Sequence, residues 1–122
     1  MMKQYNRYFQ VLAVWGFMAF PMLAEAAMGD VTSNVRRVLV DDENFGYCMV
    51  RLYDSPEGID CGNTGWVTAS CSGDFNPSNI GWRKFETAQI AYATNAPVRV
   101  FLDDARKHND RCFITRIILT EQ

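Results

Sequence analysis

Short apolar runs separated by polar breaks dominate the chain, and over one segment their period becomes helical. Val35 to Val40 (VRRVLV) is rich in β-branched residues and reads as a first strand. Asp41 to Asn44 is a polar turn. Phe45 to Tyr53 (FGYCMVRLY) reads as a second strand. Strict alternation puts Cys48, Val50 and Leu52 on its core face and Phe45, Tyr47, Met49, Arg51 and Tyr53 on the other. Asp54 to Gly65 is dense in Asp, Ser, Pro and Gly and reads as a long loop. Trp66 to Cys71 (WVTASC) is the third strand. From Pro77 to Thr94 the spacing becomes three and four. Gly81, Trp82, Phe85, Ala88, Ala91 and Tyr92 then form one helical face, with Asn76 as the cap and Asn95-Ala96-Pro97 as the stop. Val98 to Leu102 and Cys112 to Leu119 read as strands four and five, joined by a charged connection from Asp103 to Asp110. Residues 27–32 read as a loose N-terminus.

The predicted order is therefore β-β-β-α-β-β. That order fits an α+β, mostly β domain: a five-stranded, OB-like, partly open barrel with one helix between strands 3 and 4.

The first 26 residues follow a different rule. Lys3 and Arg7 form a basic head, and the run Phe9 to Leu23 carries Gln10 as its only polar side chain. Ala24-Glu25-Ala26 then gives small residues at the first and third places. This is the layout of a secretory signal peptide cut after Ala26. A cut after Ala27 would put Glu25 at the third place. A membrane-spanning helix needs about 20 apolar residues. This run is shorter and is interrupted by Gly16 and Pro21, and the first cysteine, Cys48, lies too far on for a lipid anchor. The sequence thus predicts a signal peptide over 1–26, a single domain over 27–122, no membrane anchor after cleavage, and an exported protein, periplasmic or secreted.

Export changes the meaning of the cysteines. Cys48, Cys61, Cys71 and Cys112 are an even set in an oxidising compartment, so two disulfides are expected. Cys48 and Cys71 lie about equally far from the middle of the strand 2–strand 3 loop, which favours pairing them, and Cys61 with Cys112. The other two connectivities remain open. No C-x-x-C pair exists and His108 is the only histidine, so no metal site is expected. Removing Lys3, Arg7 and Glu25 from the 12 basic and 14 acidic residues leaves a net charge of about −3. A general nucleic-acid partner is not expected from that balance.

Candidate chemistry is sparse. His108 stands near Asp103 and Asp104, and Ser70, Ser72 and Ser78 are available hydroxyls, but no nucleophile frame such as G-x-S-x-G surrounds any of them. The segment around His108 reads as a solvated turn. Asp41 to Asn44 and Asp54 to Asp60 match no calcium loop and read as solvated turns as well. No catalytic residue, cofactor or metal ligand is assigned. The aromatic residues Tyr47, Tyr53 and Trp66 are the candidate ligand-binding residues, because exposed rings stack on sugars and OB folds hold oligosaccharides on this sheet face.

The fragments FGYCMVRLY, WVTASC, a helix carrying ETAQIAYA, and VRVFLDD followed by KHNDRCFITRI occur in one order over residues 35 to 119. That layout resembles the B subunit of subtilase cytotoxin and small exported bacterial proteins similar to it. The resemblance implies an OB-like fold, a ring of five subunits, glycan binding, and delivery of a separate enzymatic subunit. It carries over no sugar-contacting residue, and Cys61 and Cys112 depart from the toxin's second cysteine pair. The expectation is an exported, non-enzymatic binding domain with a glycan or protein ligand, in the sharpest form a toxin-B-like glycan-binding subunit. The alternative is a periplasmic structural or inhibitor-like protein that binds another protein.

Overall fold

A computed structural model describes residues 27–121, together with Gly16 and Pro21. The signal segment expected over 1–26 lies outside the described residues. The elements are β1 (Met28–Val40), a 3-10 turn (Glu43–Phe45), β2 (Cys48–Leu52), β3 (Trp66–Thr68), α1 (Ser78–Thr94), β4 (Pro97–His108) and β5 (Arg111–Leu119).

The five strands close into a barrel in the order β1-β2-β3-β5-β4. This is the mostly β, OB-like arrangement expected, with the helix between β3 and β4. Long β1 makes the closure possible, because its two halves serve different neighbours. Met28 to Asn34 pair with β4, and Val35 to Val40 pair with β2. The switch falls where the β1–β2 register shifts between Val35 and Arg37, and a bulge there bends the strand around the barrel. Closure is thinnest between β3 and β5, which run parallel and share the pair Thr68↔Phe113.

Alternation along the strands fills the interior. Cys48, Val50 and Leu52 of β2 point inward as expected, joined by Val67, Val98, Val100, Leu102, Cys112 and Ile114. The helix adds Phe85, Ala88 and Ala91 to the same core. Cys48 is bonded to Cys71, with Cα atoms 5.7 Å apart, and Cys61 to Cys112 at 5.0 Å. That is the pairing the hairpin symmetry favours. The first bridge fastens β2 to the segment behind β3, and the second ties the long loop to the start of β5 across 51 residues. Disulfides of this kind mark a non-reducing, exported environment.

Several element boundaries differ from the sequence reading, each for a physical reason. Residues 28–32 are strand and not a loose end, because their backbone pairs with β4 and Val31 packs against the core. Residues 103–108 continue β4 despite their charge. Asp103 is satisfied there by Arg106 Nε at 2.8 Å and by the Ala105 N–H at 2.9 Å, which together hold its carboxyl below the usual range against the opposing effect of burial. β3 ends at Thr68, three residues before the predicted boundary. Asn76 does not cap the helix. Its Nδ2 donates to the carbonyls of Ala69 and Ser70, and Pro77 takes the cap position with an extended ψ of 137°, so the helix begins at Ser78. Tyr92 lies off the buried helical face and is 54 % exposed.

Helix and barrel meet at Gly81. A Cβ there would stand 2.7 Å from the Ser70 carbonyl oxygen, 2.9 Å from that of Ala69 and 2.9 Å from Cys71 Cα. These are backbone atoms that cannot swing aside. Gly81→Ala normally favours a helix interior by about 1 kcal/mol. Here the overpacking dominates, and the substitution is expected to destabilise the domain by about 1–3 kcal/mol in urea unfolding.

Candidate functional site

The outer face of β1, β2 and β3 carries two rows of side chains in register. One row is Leu39, Met49 and Thr68, and the next is Arg37, Arg51 and Trp66. Leu39, Phe45, Met49, Trp66 and Arg111 line a concavity of about 230 Å³ on this face. Each comes from a different element. Leu39 lies near the end of β1 and Phe45 in the β1–β2 connection, while Arg111 opens β5 immediately behind the β4–β5 turn. Met49 floors the groove and is only 1 % exposed.

Arg111 lines the groove, and Arg37 and Arg51 stand in the neighbouring row. Arg51 Nε donates to the Thr64 carbonyl at 3.1 Å, and its Cζ lies 5.8 Å from the centre of the Trp66 ring. Arg111 Nη1 donates to the Gly62 carbonyl at 3.3 Å. Among the described residues, Arg37, Arg51 and Arg111 form no ion pair. The groove therefore combines an aromatic wall with cations whose charge is not neutralised by a protein carboxylate, a composition suited to a ring-bearing polar ligand.

Of the three aromatic candidates, Trp66 alone lines the groove. The strict alternation expected from Phe45 to Tyr53 fails at both ends, because β2 spans only Cys48 to Leu52. Phe45 lies in the 3-10 turn, and Tyr47 adopts φ 68°, a left-handed conformation unusual for an aromatic residue. Tyr53 is 63 % exposed beyond the other end of β2. Its N–H donates to Ser33 Oγ at 3.1 Å, and Arg36 Cζ stands 5.5 Å from its ring centre. Leu39, Met49 and Arg111 escaped the sequence reading. Met49 had a signal in the outward parity of strand two, but only the barrel register brings Leu39 and Arg111 beside it.

His108 is the second notable group. It is not in a solvated turn: its side chain is 11 % exposed at the end of β4, and its ring lies 4.4 Å from that of Phe75. Nε2 lies 3.0 Å from Ser70 Oγ and 3.6 Å from Asp74 Oδ2. Ser70 is fully buried, adopts φ 52°, and its Oγ also accepts from the Phe75 N–H at 3.2 Å. Gly46 presses against the same imidazole, since a Cβ on it would stand 2.6 Å from His108 Cδ2, and its φ of 68° suits glycine. In a Ser-His-Asp triad the carboxylate holds the ring nitrogen opposite the one facing the serine. Here both partners face the same nitrogen, and the serine is closed off from solvent. The arrangement fastens the segment behind β3 to the end of β4. Ser72 donates to Asp74 and Ser78 to the Cys71 carbonyl, so neither hydroxyl points toward the imidazole. Asp103 and Asp104 are also occupied elsewhere, Asp103 by Arg106 and Asp104 by the Ala27 and Asp60 N–H groups.

A third cluster supports this corner. Phe113 packs edge-on against Phe75, with Lys84 Nζ 4.5 Å and Arg106 Cζ 4.6 Å from its ring centre. Burial lowers the Lys84 pKa, and the neighbouring Arg106 charge adds to that.

Comparison of the chain with protein-family models, with curated proteins and with solved structures finds no match.

Burial lowers the His108 pKa below its ordinary value, with Asp74 pulling partly in the other direction. The unfolded chain therefore binds this proton first, so stability rises with pH through this range. The contribution is fully present above the ordinary imidazole value of about 6.5 and is lost as pH falls through the depressed folded value. Thermal unfolding between pH 7.5 and 5.5 is expected to show a falling midpoint for the native chain and a flatter profile for His108→Gln. Parallel profiles would count against this assignment.

Proposed function

We propose that this protein is an exported, non-enzymatic OB-like binding domain and that the groove beside Trp66 takes a sugar ring. The observation that carries this reading is the groove's position. OB folds bind oligosaccharides on the strand 2–3 face between the β1–β2 and β4–β5 loops. Phe45 stands in the first of these loops and Arg111 at the edge of the second, with Met49 and Trp66 between them. The Trp66 ring offers a stacking face, and the unpaired arginines offer donors to ring hydroxyls or acidic substituents. The non-enzymatic part of the reading is supported by the closed-off Ser70 and by the two partners sharing one nitrogen of His108.

The resemblance of the sequence layout to the B subunit of subtilase cytotoxin supports the same reading, a glycan-binding subunit of a ring of five. A second reading, a periplasmic protein that binds another protein, is favoured by Ile80 and Ile90, which are 39 % and 53 % exposed on α1.

Correctly oxidised protein is expected to bind a subset of ligands on a glycan array. Trp66→Ala is expected to weaken that binding about tenfold or more, as for a central aromatic anchor. Tyr53→Ala, outside the groove, should leave it unchanged. Absence of any array signal overturns the glycan reading. Native mass measurement separates a five-membered ring from a monomer.

A further inference from the structure

Ala27, the residue just before β1, holds an unusual place. The Ala27 N–H donates to Asp104 Oδ1 at 2.8 Å, while the Asp104 N–H donates to the Ala27 carbonyl at 3.2 Å. The β1–β4 ladder, whose outermost paired position is Met28↔Asp103, thus ends on a side-chain carboxylate and not on another carbonyl. The other oxygen, Asp104 Oδ2, faces the Asp60 N–H at 3.4 Å. Lys107 is engaged with the Asp60 carboxylate at 3.1 Å. Among the described residues, the Asp104 carboxylate therefore receives two backbone N–H groups and forms no ion pair with a side chain. The nitrogen it grips most closely is the one that the Ala24-Glu25-Ala26 signal would expose.

We propose that signal cleavage between Ala26 and Ala27 frees an α-ammonium group that pairs with Asp104 and locks the start of β1 to β4. In the cleavage, a signal peptidase hydrolyses the Ala26–Ala27 amide with one water. The Ala26 carbonyl carbon takes the hydroxyl and leaves as a carboxylate. The Ala27 nitrogen takes the water's remaining proton and then the proton the new acid releases, and is an ammonium cation at neutral pH. Before cleavage, Asp104 receives a neutral amide hydrogen bond. After it, the same nitrogen supplies a charge-assisted one of greater strength. Processing thereby stabilises the strand pairing that closes the barrel on this side. The inference rests on the export reading and is independent of the ligand reading.

The test begins with the full 122-residue chain exported from a bacterial host. N-terminal sequencing and intact mass should give Ala27 as the first residue. A different first residue overturns the cleavage site. Unfolding is then compared for the mature chain with a free amine and for the same chain carrying an Nα-acetyl group, each with Asp104 and with Asp104→Asn. Acetylation is expected to raise the unfolding constant about two- to fivefold at low salt. The difference should shrink as salt is added. The Asp104→Asn chains should not respond to acetylation. Equal stability of free and acetylated wild-type chains overturns the ion pair. So does an equal response in the Asp104→Asn background. Should Asp104→Asn fail to fold, the acetylation effect and its salt dependence in the wild-type chain decide the matter alone.

Discussion

The structure depends on how the chain leaves β3. The strand ends at Thr68, and within the next three residues the backbone must turn inward to bring Cys71 to Cys48. Thr68 Oγ1 organises that turn: it bonds the Phe45 carbonyl at 3.0 Å and accepts from the Ser70 N–H at 3.0 Å. Ser70 takes the left-handed conformation this requires, and such conformations persist only where the surroundings hold them. The surroundings here are His108 on Ser70 Oγ, Asn76 on the Ala69 and Ser70 carbonyls, and Gly81 against the same peptide groups. The lone β3–β5 rung, one disulfide, the seat of the helix and the buried histidine are thus parts of a single local solution. Removing space at Gly81 or neutrality at His108 disturbs the same few residues.

The groove is a by-product of the same geometry. Because β3 is short, Trp66 stands at its start with the long loop on one side and Met49 on the other. The β1–β2 connection reverses through Gly46 and Tyr47, both in left-handed conformation, and this sets Phe45 at the groove wall instead of along β2. An outer sheet face that would otherwise be a flat row of residues becomes a concave, partly apolar surface rimmed by cations.

Much of this was legible in the sequence because apolar periodicity reports which side of an element faces a core. Cys48, Val50 and Leu52 announced the inward face of β2, and Phe85, Ala88 and Ala91 the seat of the helix. The first half of β1 was not legible, because Gly29, Asp30, Thr32 and Ser33 form strand through backbone pairing with β4 and through local partners such as Arg99, whose Nε lies 2.7 Å from Asp30. The last third of β4 was hidden by its charges, which are satisfied mutually or by the chain around them. His108 looked like a turn residue since its partner, Ser70, lies 38 positions away and reaches it only through the left-handed turn. Trp66 was identifiable as an aromatic beside a long loop. Its neighbours in the groove were not, because they meet through register between four strands and a connection.

Lys84 has a further effect on how the molecule meets others of its kind. Its Nζ donates to the Ile114 carbonyl at 2.8 Å, one residue past the rung at which β3 and β5 part. Among the described residues, β5 pairs with no strand on the β3 side beyond that point, and Ile118 and Leu119 are 40 % and 42 % exposed along it. An open strand flank with apolar side chains is a template for pairing with another chain. The lysine takes up the Ile114 carbonyl and sets a cation beside this flank, the kind of charge that blunts a strand edge against pairing.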